Sequence, residues 1–481
     1  MSKDIHVLFA IFEASPFIAT GGLGEVGGAL PPALQKAGCH VQVILPKFQF
    51  IAQEFRDQME HVADFYVPLA WRSQYCGIEK LDYNNVTYFF IDNEYYFYRD
   101  GIYGFGDDAE RIAFFDKAVL ESLQHIPNIQ YDILHCHDWH TSLIPVFLRE
   151  FYHGLPLYDK IHTVFTIHNL KFQGIFPSEV LGDVLGLADI KAAADQLAFL
   201  GAINYMKGAL CYSDILTTVS PTYAMEIRNS YFGEKMEDIL SRKQDRLFGI
   251  LNGIDTEEYN PAHDRALAAT YSVQCPVDKA KNKAALQEKL GLEKSADTPF
   301  LVMVSRFTEQ KGLDLLLRIL DDLLSESVQV AILGTGDRYY ENALQEIAWR
   351  HPSQMKVHIL FDNTLSRLFY AGGDLLMMPS RFEPCGLSQM IAMRYGTLPV
   401  VRETGGLKDS ITPYNRYTGK GNGFSFANFN AHELLFVLKE AIRVYREEPE
   451  TWHSLIAQAM SADFSWSGSA AKYMELYQNL V

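Results

Sequence analysis

The chain has 481 residues, 48% of them hydrophobic and 21% charged, with a formal net charge of −17 at pH 7. That length exceeds one ordinary core and predicts two large domains or three smaller ones. The negative balance repels phosphate backbones and anionic surfaces, so nucleic acid and membranes are not expected as partners, and no apolar stretch reaches the ~20 residues of a membrane span.

The first apolar run, HVLFAIF (6–12), is followed by charged Glu13 and has no small-residue cleavage site. It reads as a strand, not a secretory signal, and a cytoplasmic protein is expected. It leads into FIATGGLGEVGGALP (17–31), where Gly22, Gly24 and Gly27 spell G-x-G-x-x-G. Two requirements of a dinucleotide site fail there. Seven residues (15–21) separate the strand from Gly22, and the next strand, HVQVILP (40–46), runs into Lys47 where a ribose-binding acid belongs. The glycines still suit a phosphate-bearing ligand held by backbone N–H groups at a helix mouth; a tight turn packed for its own sake is the other reading.

Further strands are expected at VTYFFID (86–92), YDILHCHD (131–138), HTVFTIHN (162–169) and ILTTVSP (215–221). Several are apolar without alternation, as strands covered on both faces are. The aromatic segment DNEYYFYRDGIYGF (92–105) suits either stacking on sugar rings or an aromatic core. His135, Cys136, His137 and His140 crowd together, but His135 and His137 share one strand face while Cys136 faces the other. With no further ligand cluster, no metal site is expected. His168 and Asn169 follow a strand, where parallel sheets bind ligands; ligand contact and capping both account for them.

Turn residues fill NGIDTEEYNPAHD (252–264), and DKAKNKAALQEKLGL (278–292) reads as a surface helix leading into a second set of elements. Strands restart at PFLVMVSRF (299–307), VQVAILGTGD (328–337), KVHILF (356–361), DLLMMPS (374–380) and TLPVVRE (397–403), with amphipathic GLDLLLRILDDLLS (312–325) between them. Arg306, just past a strand, and Lys311, at the mouth of a helix, suit a diphosphate; an ordinary solvated loop is the alternative. Glu383-Pro384 is extended, and Cys385-Gly386-Leu387-Ser388 opens a helix whose unpaired N–H groups suit phosphate or sugar hydroxyls, or a plain helix start. The tetrapeptide TGGL occurs at 20–23 and again at 404–407. The last stretch, 463–480, reads as a capped helix. Six scattered cysteines without C-x-x-C spacing read as reduced buried thiols. No D-x-D pair is present, so neither a metal-bridged diphosphate nor a resident cofactor is expected. The two successive sets of alternating elements predict the α/β class, with two doubly wound domains, 1–255 and 256–459, facing each other.

Together these segments resemble the bacterial glycogen synthases and plant starch synthases. The resemblance runs nearly end to end and includes TGGLGEVGGALP, YCGIEK, IDNEYYF, HCHDWHT, TIHNLKFQGIF, TTVSPTYA, LNGIDTEEYNP, SRFTEQKGLD, LGTGD, PSRFEPCGLSQMIAMRYGTLPVV and GGLKDSI. It implies a retaining glucosyltransferase that moves glucose from ADP-glucose to the non-reducing end of an α-1,4-glucan. It implies two Rossmann-like domains with an interdomain cleft (the GT-B arrangement) and a C-terminal helix, about 460–481, that returns to the first domain. By resemblance Arg306 and Lys311 hold the donor diphosphate. Glu383 and the Cys385, Gly386, Leu387 and Ser388 backbone grip glucose hydroxyls and phosphate. Gly21, Gly22 and Asn252 belong to the donor side, His168 sits beside the anomeric carbon, and Asp138 and Asn169 line the acceptor side. The chain departs from the family pattern at Ala19, where the loop usually carries lysine, and at Glu25, where Asp is usual. Ala19 keeps a second expectation open: a catalytically impaired paralogue that binds glucan or regulates a partner synthase.

Overall fold

The computed structural model describes residues 4–126 and 130–481. It divides into two compact units. One runs to Val219, resumes at Ala224–Asn252 and finishes with Trp466–Val481; the other comprises Ser220–Tyr223 and Gly253–Ser465. The borders read from the sequence are 255/256 and 459/460, and the short excursion at Ser220–Tyr223 has no counterpart in that reading.

The first unit is built on a nine-stranded sheet, beside which Ile175–Pro177, Ala202–Asn204 and Ala198–Phe199 form a small antiparallel one. The strands of the large sheet are β1 (His6–Ala10), β2 (His40–Pro46), β3 (Glu60–Leu69), β4 (Arg72–Tyr83), β5 (Val86–Asp92), β6 (Ile133–His137), β7 (His162–Ile167), β8 (Ile215–Thr218) and β9 (Leu247–Gly249). Their order is β9-β8-β7-β6-β1-β2-β5-β4-β3. The strands are parallel from β9 to β5, and β4 and β3 are added antiparallel at the edge. The parallel strands are the apolar runs of the sequence. The hairpin β3–β4 is not among the expected strands, for two reasons. Its residues mix polar and apolar types and are partly exposed, and Ala70, at φ 51°, turns it where glycine or asparagine would normally announce a turn.

The second unit carries β10 (Phe300–Val304), β11 (Gln329–Gly334), β12 (Met355–Ile359), β13 (Leu375–Met378), β14 (Leu398–Arg402) and β15 (Phe424–Phe426). The order is β12-β11-β10-β13-β14-β15, parallel throughout. Both units are therefore doubly wound α/β folds, in which crossover helices cover sheets that are apolar on both faces.

Helix α1 (Gly22–Lys36) follows β1, and helix α2 (Trp466–Leu480) belongs to the same unit. Trp466, Ala470, Tyr473, Leu476 and Tyr477 of α2 join one core with Val7, Phe9, Leu30 and Leu34. The segment read as a surface helix, Lys279–Lys289, instead buries its polar face: Lys279, Asn282, Lys283 and Gln287 are all buried. Hydrogen bonds make this tolerable. Lys279 Nζ donates to Ala371 O and Thr397 Oγ1, and Lys283 Nζ meets Asp374 at 2.7 Å and Tyr445 OH at 2.8 Å. The six cysteines are free thiols, but Cys275 is exposed and Cys211 half-buried, so not all are interior.

Candidate active site

Between β1 and α1 the chain makes a tight excursion that Glu13 organises. This carboxylate is only 2% exposed. It accepts hydrogen bonds from Thr20 N, Thr20 Oγ1 (2.9 Å) and Tyr103 OH. The glycines of the loop divide into two kinds. A Cβ on Gly27 would lie 2.3 Å from Glu13 O, and one on Gly24 would lie 2.5 Å from Ala19 Cβ. These two are glycine because α1 packs directly on the preceding backbone. A Cβ on Gly21 or Gly22 meets nothing within 4 Å, and Gly21 is in extended backbone at φ 179°. Neither packing nor a left-handed conformation demands glycine there. Ala19 is exposed beside them. Sequence reasoning passed over Glu13; its position at the end of a buried apolar run was the available clue.

The C-terminal ends of β6 and β7 hold the second cluster. Asp138 follows β6 at φ 61°, a conformation that non-glycine residues adopt rarely and mostly at functional sites. Its N–H donates to Thr166 O at 2.9 Å, and its carboxylate accepts backbone N–H groups of His168, Asn169 and Trp139. Burial nevertheless pushes the Asp138 carboxyl up to about 8. His168 is half-buried, with Nε2 3.0 Å from His137 Nδ1, and desolvation holds it down to about 3. At neutral pH His168 is therefore an uncharged imidazole. Asn169 is half-buried, and its Oδ1 accepts from Lys171 N. At the C-terminal end of β6 and in the turn after it, three buried polar atoms have no hydrogen-bond partner among the described residues: His137 Nε2, Asp138 Oδ1 and His140 Nδ1. Folded proteins seldom leave such atoms unpaired. The histidines do not gather as metal ligands: His135 is bonded to Tyr477 and Thr166, and His137 to His168.

In the second unit, β10 runs into a turn where Arg306 is exposed and makes no ion pair among the described residues. Lys311 ends a short 3-10 turn and Gly312, at φ 71°, starts the helix Leu313–Leu324. A Cβ at Gly312 would fall 1.9 Å from Pro379 O, so only glycine lets the turn reach the strand β13 segment. That approach brings Lys311 Nζ to 2.7 Å from Glu383 Oε2, which also accepts from Ser380 Oγ at 3.1 Å. Glu383 is 5% exposed. An ammonium has three N–H donors, so two on Lys311 remain uncommitted.

The second TGGL copy explains why Glu383 is held so firmly. Gly406 N donates to Glu383 O at 3.1 Å. A Cβ on Gly405, at φ 43°, would lie 2.0 Å from Glu383 O, and one on Gly406 would lie 2.1 Å from Cys385 O. Arg402 Nε donates to Ser380 O and Ser220 Oγ to Pro384 O, clamping the same elbow. The elbow continues through Gly386, at φ 75°, into the helix Ser388–Arg394, which no side chain caps. The Cys385 thiol is buried and the Ser388 hydroxyl meets Tyr370 OH at 3.1 Å. Asn252 is buried as the last residue of its unit segment.

Comparison with known proteins fits this chemistry. Residues 6–242 match the family described as starch synthase catalytic domain, and residues 286–459 match glycosyl transferases group 1. The glycogen synthase of Desulforamulus reducens is 51% identical over 477 residues, covering 99% of each chain. That of Desulfitobacterium hafniense is 49% identical over 476 residues, again 99% of each. Among solved structures, the catalytic domain of starch synthase IV from Arabidopsis thaliana, bound to ADP and acarbose, superposes with a TM-score of 0.90 at 32% identity over 99% of each chain. A sucrose-phosphate synthase from Thermosynechococcus elongatus, 16% identical with a TM-score of 0.63 over 99% of each chain, shares the fold alone. The chain belongs to the glycogen synthase and starch synthase family and is a glycosyltransferase of the GT-B class.

Proposed function

We propose that the protein transfers glucose from ADP-glucose to the non-reducing end of an α-1,4-glucan with retention at the anomeric carbon, in the cytoplasm. The observation that carries this reading is the Lys311–Glu383 pair, an ammonium with donors to spare on a buried carboxylate held by a clamped elbow, with the exposed guanidinium of Arg306 on the turn after β10 in the same unit. The ADP bound by the related starch synthase supports the choice of nucleotide.

In this reading the C1–O bond to the diphosphate breaks, and the bonding pair leaves with ADP. Arg306 and Lys311 neutralise the charge growing on the diphosphate, assisted by N–H groups of Cys385–Ser388. Preorganised cations stabilise that charge more than water does because they need no reorganisation. Glu383 accepts from a glucose hydroxyl while keeping Lys311 in place. Gly21 and Gly22 let backbone N–H groups approach the donor, and Asn252 lies on the donor side. Neutral His168 bonds a hydroxyl beside the oxocarbenium-like carbon without adding positive charge to it. Asp138 and Asn169 hold the acceptor, whose hydroxyl attacks the same face that ADP leaves and gives its proton to the departing phosphate oxygen. No metal takes part in this scheme, because side-chain cations meet the diphosphate charge.

Steady-state rates with ADP-glucose and UDP-glucose, each with glycogen and with or without EDTA, test this. The expected result is kcat/KM at least about tenfold higher for ADP-glucose, and no effect of EDTA. A preference for UDP-glucose overturns the donor assignment, and loss of rate in EDTA overturns the metal-free scheme.

A further inference from the structure

His135 and His137 lie side by side on β6, with ring centroids 4.0 Å apart, yet their bonding differs. His135 is satisfied at both nitrogens, by Tyr477 OH and Thr166 Oγ1, each at 2.6 Å. His137 is packed on Phe9, ring centroids 3.9 Å apart, and fully buried. Its Nδ1 faces His168 Nε2 at 3.0 Å, and its own Nε2 is buried with no partner among the described residues. Burial holds both rings below the ordinary histidine range, so both are neutral at pH 7 and a single proton lies between them.

That proton has two possible homes. On His168 Nε2 it would make His137 Nδ1 an acceptor, and His137 would carry its own proton on Nε2 as a buried N–H with no acceptor. On His137 Nδ1 it leaves His137 Nε2 as a bare lone pair. Orphaned buried N–H groups are the rarer defect in folded proteins, so the second arrangement wins. His168 then accepts at Nε2 and must carry its one proton on Nδ1. That nitrogen has no partner among the described residues and is not among the buried partnerless atoms, so it reaches solvent.

We propose that His137 is a positioning residue that locks His168 as the Nδ1–H tautomer, turning the open edge of that ring into a hydrogen-bond donor for a substrate hydroxyl. The substrate contact rests on the function proposed above; the tautomer does not. Packing against the tilted rings of Phe9 and His135 keeps His137 in register, and Tyr477 and Thr166 keep His135 in register in turn. The geometry thus runs from the C-terminal helix through two buried rings to His168.

Two-bond ¹H–¹⁵N spectra of the full-length, ¹⁵N-histidine-labelled protein at pH 7.5 test the tautomer, with His168 assigned by its loss in His168→Gln. The expected result is an unprotonated Nε2 and a protonated Nδ1 on His168; the reverse overturns the proposal even if no His137 variant folds. Kinetics supply the second arm. His137→Asn, whose amide N–H can replace the Nδ1 donor, is expected to keep kcat within about threefold, whereas His137→Phe loses about 10–100-fold in kcat with donor KM within about twofold. A folded His137→Phe with wild-type kcat overturns the positioning role. Full activity in His168→Gln, with the expected tautomer in the wild type, would instead overturn the reading of His168 as substrate-facing.

Discussion

Glu383 performs two tasks with one carboxylate. Its Oε2 fixes Lys311 and Ser380, and its backbone oxygen is gripped by Gly406. The residue types at 306, 311 and 383 were legible in the sequence because each follows a buried strand. Their pairing was not, since 72 residues separate Lys311 from Glu383 and only the φ 71° turn at Gly312 joins them. Ala19 raises the complementary question of a missing cation. It is exposed two residues before Gly21, in the loop that leads into α1. Charge-assisted hydrogen bonds contribute about 1.5–3 kcal/mol, so Ala19→Lys is expected to lower the KM for ADP-glucose by about tenfold while leaving the glucan KM within about twofold. An unchanged donor KM would show that position 19 does not face the nucleotide sugar.

At the scale of elements, the two TGGL loops share a sequence and not a reason. Gly405 and Gly406 abut the Glu383–Cys385 backbone, whereas Gly21 and Gly22 border empty space. No reading of the tetrapeptide separates these, because the difference lies in what each loop packs against. Gly406→Ala forces a Cβ to within 2.1 Å of Cys385 O and is expected to cost more than about 2 kcal/mol in chemical denaturation, as overpacking against backbone does. Gly21→Ala should leave the unfolding midpoint unchanged and raise the donor KM at least about fivefold. Equal stability losses in both would remove the distinction. The same logic explains what else was legible: continuous apolar runs announced the parallel strands, while the helix at Lys279–Lys289 hid a buried polar face that composition assigns to solvent.

The molecule as a whole ties its stability to uncharged histidines near the proposed chemistry. Burial holds His135, His137 and His140 well below the ordinary range and His168 at about 3. As pH falls through about 6.5 the unfolded chain binds protons at these four positions and the native chain does not, so their contribution is complete above that pH and lost below it. Asp138, pushed up to about 8, and Asp116, raised by burial, act in the opposite sense, contributing most at low pH and less as pH rises toward 8. Four groups outweigh two in the acid window. The urea midpoint is expected to fall between pH 7 and pH 5, and to fall less in His140→Phe; a midpoint that holds or rises at pH 5 would contradict the neutral-histidine picture.

The account turns on whether both units serve one glucosyl transfer despite Ala19. Incubation with ¹⁴C-labelled ADP-glucose and glycogen, with product anomers read by NMR, tests this most directly. The predicted result is incorporation through new α-1,4 linkages, reduced at least about 100-fold in Glu383→Gln. Glycogen binding without incorporation by the wild-type chain would contradict it and leave a glucan-binding relative that performs no transfer.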